Sequence, residues 1–341
     1  MKITLTQTLD QFFNRCIHNI QNETKNQFLG MSVTKENELN VQYLLRKAKF
    51  NEFIGPKENW PSLFISSEAY QNSPYNRSIK LDVIKSSEFT YKTERINSNE
   101  LFSLSSIVYD PNRELNDSMR LVALDEPYEA AFLYQNDKVW MLDAPSEAET
   151  INPYASKAFG NVLTFGLGIG YFPFMAMLNS KVKSITVIEK SRAVIDMFNT
   201  YIKPQFPTKI PFKIIEGDAF DYFNETELEK YDYCFIDVWQ SNDDGLVIIE
   251  KLLENYLPPF EKVDFWIESS CFEVMPSLIL LYFEALSRNK SFRTEDKVYQ
   301  RLVRKIEKFF KTIDQIIDDE NKLKDYMYDT KLHRLIVSIK L

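Results

Sequence analysis

The chain reads as an α/β protein built on a doubly wound, mostly parallel sheet, and two observations carry that reading. Three of only eight glycines fall within one turn, at Gly166, Gly168 and Gly170, after an apolar run at 162–165 and before an apolar stretch at 172–178. Five short apolar runs, beginning with that one, each deliver polar residues or glycine at their carboxyl ends, with amphipathic stretches between several of them. Strands covered on both faces read as continuous apolar runs, and ligands of open parallel sheets collect beyond the carboxyl ends of the strands.

Taken in order, residues 1 to about 55 keep a helical period, with Phe12, Phe13, Ile17 and Ile20 on one face. Residues 56–145 lose it and become strand-like, broken by Pro56, Pro61, Pro74, Pro111 and Pro127. Residues 130–133, the turn Gln135-Asn136-Asp137 and residues 139–142 form a predicted β-hairpin. After the glycine turn, the run 185–188 ends in Glu189 and the run 212–215 in Glu216-Gly217-Asp218-Ala219. The run 233–236 ends in Asp237-Val238-Trp239, and 263–267 in Glu268-Ser269-Ser270. Residues 273–330 are helical by period. The stripe of Val303, Ile306, Phe309, Phe310, Ile313 and Ile317 marks core or a subunit contact. Residues 334–339 are expected to form a last strand. The chain thus divides into an N-terminal helical and strand-rich module, 1–125, and a sheet domain, 126–341, with a helical insertion at 273–330.

Composition narrows the chemistry. Lys plus Arg number 41 against 49 Asp plus Glu, a net charge of −8, which provides no basic footprint for nucleic acid. Cys16, Cys234 and Cys271 are scattered, as reduced structural thiols are, so a cytoplasmic protein is expected. The start of the chain lacks the apolar stretch of a signal peptide, and no run approaches the roughly 18 apolar residues of a spanning helix. The two histidines, His18 and His333, stand apart. No Cys/His metal spacing, nucleophile elbow or P-loop occurs, so neither metal catalysis nor a Ser-His-acid mechanism is expected. The turn reads G-x-G-x-G, and its sixth position is Tyr171 rather than the glycine of a dinucleotide fingerprint.

That turn, with Glu189 and Gly217-Asp218-Ala219, resembles the class I S-adenosylmethionine-dependent methyltransferases and the related spermidine synthases over roughly residues 140–270. The resemblance implies a Rossmann-like fold and S-adenosylmethionine as cofactor. Gly166, Gly168 and Gly170 would line its methionine part, and Glu189 would take the ribose hydroxyls. Asp218 would face the adenine amino group, with Ala219 and Phe220 beside the ring. Asp237 would open onto the transferred group. The acid that methyltransferases usually carry two residues before the first glycine is Thr164 here, and spermidine synthases also tend to lack it. The stretch 143–152 resembles the segment that closes over the cofactor, with Glu147 and Asn152 its notable members. Read alone, it is an acidic, solvated loop with helix-capping residues.

Methyl transfer to a small-molecule acceptor is the expected activity. A sulfonium methyl is already activated, so the protein must mainly align donor and acceptor. A base is needed where the acceptor sheds a proton. Asp237 leads the candidates, followed by Glu268 and Asp243, with Trp239 and Tyr171 as walls. Asp237 as a helix cap and Trp239 as packing are the plainer alternatives. Aminopropyl transfer would instead require an acidic amine pocket near Asp237, Asp243 and Asp244. A non-catalytic nucleoside-binding or interaction protein is the third reading. The N-terminal module serves either the substrate or a homodimer contact.

Overall fold

A computed structural model describes residues 1–21, 25–117, 119–135, 137–207 and 209–341. Asn136, in the expected hairpin turn, lies outside the described residues. Helix α1 (Gln7–Gln21) buries Leu9, Phe12, Phe13 and Cys16, while Ile20 points outward. After α2 (Glu38–Lys47), the chain mixes short strands with short helices such as Pro74–Ser78, whose proline opens the first turn where no amide donor is needed. The segment 56–145 is therefore less purely strand than its sequence suggests. Strand β1 (Phe89–Ile96) pairs antiparallel with β2 (Tyr128–Gln135), and β2 with β3 (Lys138–Asp143). The expected hairpin is this last pair.

Helix α3 (Pro145–Lys157) leads into β4 (Gly160–Phe165), then α4 (Tyr171–Leu178), β5 (Val182–Glu189) and α5 (Arg192–Met197). Strands β6 (Phe212–Glu216) and β7 (Tyr233–Ile236), helix α6 (Asn242–Asn255) and strand β8 (Val263–Phe265) follow. The central sheet runs β6-β5-β4-β7-β8, all parallel. Strand order reverses at β4, between β5 and β7, where a crevice must open because successive crossovers leave on opposite sides.

Both faces are covered. Leu163, Phe165, Cys234, Ile236 and Phe265 pack with α1, α6 and the C-terminal helices. Val162, Val187, Tyr233 and Phe235 pack with α3 to α5. Every second residue of each strand feeds one layer, so the runs must be apolar throughout. Cys16, Cys234 and Cys271 are free and buried, and burial pushes their thiols upward, to about 12 for Cys234 and Cys271.

The C-terminal region departs from expectation. The stretch 298–328, within the 273–330 expected to be helical, is interrupted by a short strand. After α7 (Met275–Ser287), α8 is Lys297–Lys311 and α9 is Glu320–Tyr328. The strand, Ile316–Ile317, pairs with Lys2–Ile3. The predicted last strand at 334–339 falls instead largely within helix α10 (Thr330–Val337). Asp329 caps it by accepting from the Lys331 and Leu332 amides, and helical spacing buries Leu332, Ile336 and Val337 together. Arg334, 2 % exposed, thereby reaches Glu268 through both Nε and Nη2, and the Val263 carbonyl through Nη1. The stretch Glu268–Ser287 has the length and mean hydropathy of a membrane-crossing helix. It is broken between Cys271 and Met275, and 56 % of its most apolar window is buried in the protein.

Candidate functional site

The crevice at the reversal point holds a cavity of about 480 Å³, inside the range of roughly 300–1,000 Å³ common for small-molecule sites. The sheet ladder itself places its walls. The amides of Gly166, Gly217, Asp237 and Trp266 donate to Ile188, Glu189, Phe165 and Ile236, extending each strand by one bond before the chain turns away. Gly166, Gly168, Glu189, Asp218, Ala219 and Asp237 all line the cavity, so strand ends far apart in sequence meet there. The hairpin covers it through Trp140, Met141 and Leu142.

At Gly166, φ is +91° and a Cβ would lie 1.9 Å from the Asp237 carbonyl oxygen, so only glycine lets the turn approach β7. Gly170 plays a different part from the one expected. It caps α4 at φ +78°, a Cβ there would strike the rings of Phe198 and Phe206 at 2.5 and 2.9 Å, and it does not line the cavity. Its role is to bring α4 onto the α5 side of the sheet. Buried Tyr75 ties the same turn to the N-terminal region, donating to the Ile169 carbonyl at 2.6 Å.

Glu189 holds the turn as well as facing the cavity. Its carboxylate accepts from the Leu167 amide at 3.0 Å and the Ser191 amide at 2.7 Å. Asp218 accepts from the Phe220 amide at 3.0 Å and pairs with Lys190 at 2.6 Å, which holds its carboxyl below the ordinary range. Ala219 keeps the wall between them small.

On the opposite side, α3 replaces the loop that 143–152 suggests. Glu147 and Ile151 line the cavity. Asn152 turns away and accepts from the Tyr171 hydroxyl at 3.0 Å. Burial, with the Asp143 charge, pushes the Glu147 carboxyl up to about 7, and burial raises Asp143 to about 6. Asp237 is pushed well above the carboxylate range by burial and then by the Glu147 charge. Asp237 does not cap α6, a task Ser241 performs. Trp239 and Tyr171 are cavity walls, as expected.

Two other expected bases are placed elsewhere. Glu268 is occupied by Arg334, and neither it nor exposed Asp243 lines the cavity. Trp266 is a wall that sequence reasoning missed. Its indole N–H donates to Thr150 at 3.0 Å, and its place at the end of the fifth apolar run was the available signal. His333 is buried and held neutral, its ring lowered to about 4 by desolvation. No group of three or more His, Cys, Asp or Glu side chains among the described residues could hold a metal.

The residues present suit a nucleoside cofactor. A Cβ on Gly168 would come within 2.8 Å of the Met141 methyl, marking a narrow cradle between turn and hairpin, with Glu189 and Asp218 as hydrogen-bond acceptors along it. No protein-family description and no curated protein sequence matches the chain. Among solved structures, it is similar to a Streptococcus mutans protein described as a SAM-dependent methyltransferase, at 12 % identity over 80 % of this chain and 90 % of that one, TM-score 0.27. It is also similar to PKMT2 from Rickettsia typhi in complex with AdoHcy, at 16 % identity over 56 % and 39 %, TM-score 0.21. Mycobacterium tuberculosis shikimate dehydrogenase is matched at 11 % identity over 57 % and 64 %, TM-score 0.23. The chain spans less than two thirds of the length of the last two. Strand order and register, rather than these likenesses, carry the α/β, Rossmann-like assignment.

Proposed function

We propose that this protein is an S-adenosylmethionine-dependent methyltransferase acting on a small-molecule acceptor. One observation carries the reading. The glycine turn, Glu189, Asp218, Ala219 and Asp237 converge on one cavity at the reversal point of a parallel sheet. In this reading Gly166 and Gly168 admit the methionine part, Glu189 takes the ribose hydroxyls, and Asp218 and Ala219 face the adenine. The cofactor would supply a methyl group already activated by its sulfonium.

The protein's work is then alignment and exclusion of water. Trp140 and Met141 cover the cavity from the hairpin, while Phe172, Phe235 and Trp266 wall its inner end. In this reading Asp237, at the mouth of β7, takes the proton of an acceptor when it is itself ionised. The free buried thiols fit a cytoplasmic setting.

Calorimetric titration with S-adenosylmethionine and S-adenosylhomocysteine tests the reading. Binding of both is expected, weakened about tenfold or more by Glu189→Ala and by Ala219→Leu, which fills the adenine side. Because Glu189 also anchors the turn, the Ala219 variant separates lost contact from lost fold. Failure of the wild-type protein to bind either nucleoside would sink the proposal.

A further inference from the structure

We propose that the inner end of the cavity is a binding site for a protonated amine, held between Glu147 and Asp237, and that the methyl acceptor is therefore an amine. This deepens the methyltransferase reading and rests on it. The two carboxylates come from α3 and from the end of β7, and both line the cavity. Neither has a hydrogen-bond donor or a cation as partner among the described residues. The one basic side chain in the described lining, Lys190, is paired with Asp218.

Two desolvated carboxylates facing each other without a cation are costly, and an ammonium between them relieves both the repulsion and the missing hydrogen bonds. A second observation points the same way. Thr164, 1 % exposed, lines the cavity, and its hydroxyl has no partner among the described residues. An acceptor oxygen is thus left open beside the pair. Trp266 lines the cavity with an aromatic ring of the kind that attracts a cation, while Phe172 and Phe235 stack on each other at 4.2 Å and supply apolar wall. The arrangement differs from an acidic pocket shared by Asp237 with Asp243 and Asp244, because those two are exposed on the first turn of α6. Glu147, almost a hundred positions earlier, stands opposite Asp237 in their place.

The carboxylates also have work to do after binding. An ammonium has no lone pair to offer. Its proton passes from nitrogen to the Asp237 carboxylate, the bonding pair stays on nitrogen, and a neutral amine remains beside Glu147. The charged and titratable groups around this pair are Asp143 on β3, Tyr171 on α4, Glu189 at the end of β5, Lys190 after it, Asp218 after β6, and the Cys271 thiol beside Asp237. Apart from Lys190, Tyr171 and the thiol they are carboxylic acids, so the local field favours a cation.

The test uses the full chain, with and without saturating S-adenosylhomocysteine, titrated calorimetrically with n-butylamine and its uncharged analogue n-butanol. The amine is expected to bind about tenfold tighter or more than the alcohol, from charge-assisted hydrogen bonds. Binding should release protons, read by repeating the titration in buffers of different ionisation enthalpy. Asp237→Asn and Glu147→Gln should each remove most of the preference for the amine while leaving n-butanol binding within about twofold. Equal binding of amine and alcohol by the wild-type protein, without proton release, would overturn the proposal. The cofactor's sulfonium is the other cation that could fill the site. If Glu147→Gln weakens S-adenosylmethionine relative to S-adenosylhomocysteine but leaves n-butylamine untouched, the pair serves the cofactor and the proposal falls. Absence of nucleoside binding with amine preference intact would refute methyl transfer while leaving the amine site standing.

Discussion

Replacing Glu147 by Gln should stabilise the protein at alkaline pH and leave it nearly unchanged at acid pH. In the folded chain burial and Asp143 raise the Glu147 carboxyl to about 7, from an ordinary value of 4.5. Between those values the native state keeps a proton that the unfolded chain has released. Stability from this group is therefore fully present below pH 4.5, falls as pH rises through the window, and is lost above about 7. The interval corresponds to about 3 kcal/mol as an upper figure. Glutamine keeps the shape and cannot ionise, so the variant avoids this loss.

The wild-type curve alone is not diagnostic, because His333 acts in the opposite sense. Its value is depressed from 6.5 to about 4, so its contribution is present above 6.5 and lost as pH falls toward 4. The difference between variant and wild type removes the His333 contribution and leaves that of Glu147 together with its effect on Asp237. Thermal denaturation at about pH 5 and about pH 8 should show a gap that opens with pH, reaching several degrees at the alkaline end. A Glu147→Gln variant no more stable than wild type at alkaline pH, or a gap independent of pH, would refute the buried-carboxylate argument.

Other consequences are equally direct. Gly170→Ala forces a side chain to φ +78° and into the Phe198 and Phe206 rings, and should cost at least about 2 kcal/mol by denaturant titration. Lys305 is fully buried between Glu250 and Glu254 and also donates to the Val337 carbonyl. Lys305→Ala leaves Glu250 with Arg301 as its remaining cation and should cost about 1.5–3 kcal/mol, read as a fall in melting temperature. His333→Gln should reduce the loss of stability on acidification between about pH 6.5 and pH 4, seen as a shallower acid limb of melting temperature against pH. Thr150→Val removes the acceptor for the Trp266 indole. A shift in tryptophan emission and a loss of about 1 kcal/mol or less should follow, measured by fluorescence-monitored unfolding.

Much of the site could be read from local pattern because strand ends carry it. Apolar runs of four or five residues that end in polar residues or glycine read as strands covered on both sides, and each one hands its next residue to the same edge of a parallel sheet. That brings Gly166, Glu189, Asp218 and Asp237 together whatever the loops do. The hairpin was equally legible, from two short apolar runs around a polar turn. The expected C-terminal strand failed where competing periods overlap. Four of the six residues at 334–339 are apolar, and only the buried side chains of α10 and the reach of Arg334 to Glu268 select the helix. The stripe through 298–328 likewise said nothing of the turn that lets Ile316–Ile317 pair with Lys2–Ile3.

The sequence by itself determined the parallel sheet, the glycine turn and the set of acids at its edge, because strand period and glycine's backbone freedom act over a few residues. Tertiary structure alone decided which of those acids share a cavity. Glu147 faces Asp237 because α3 packs across the mouth of β7, Glu268 is withdrawn because Arg334 claims it, and Gly170 serves packing because two phenylalanine rings lie against it. Local preferences place residues on elements, whereas the charge state of a carboxylate depends on what the rest of the chain puts beside it and on how much water it excludes.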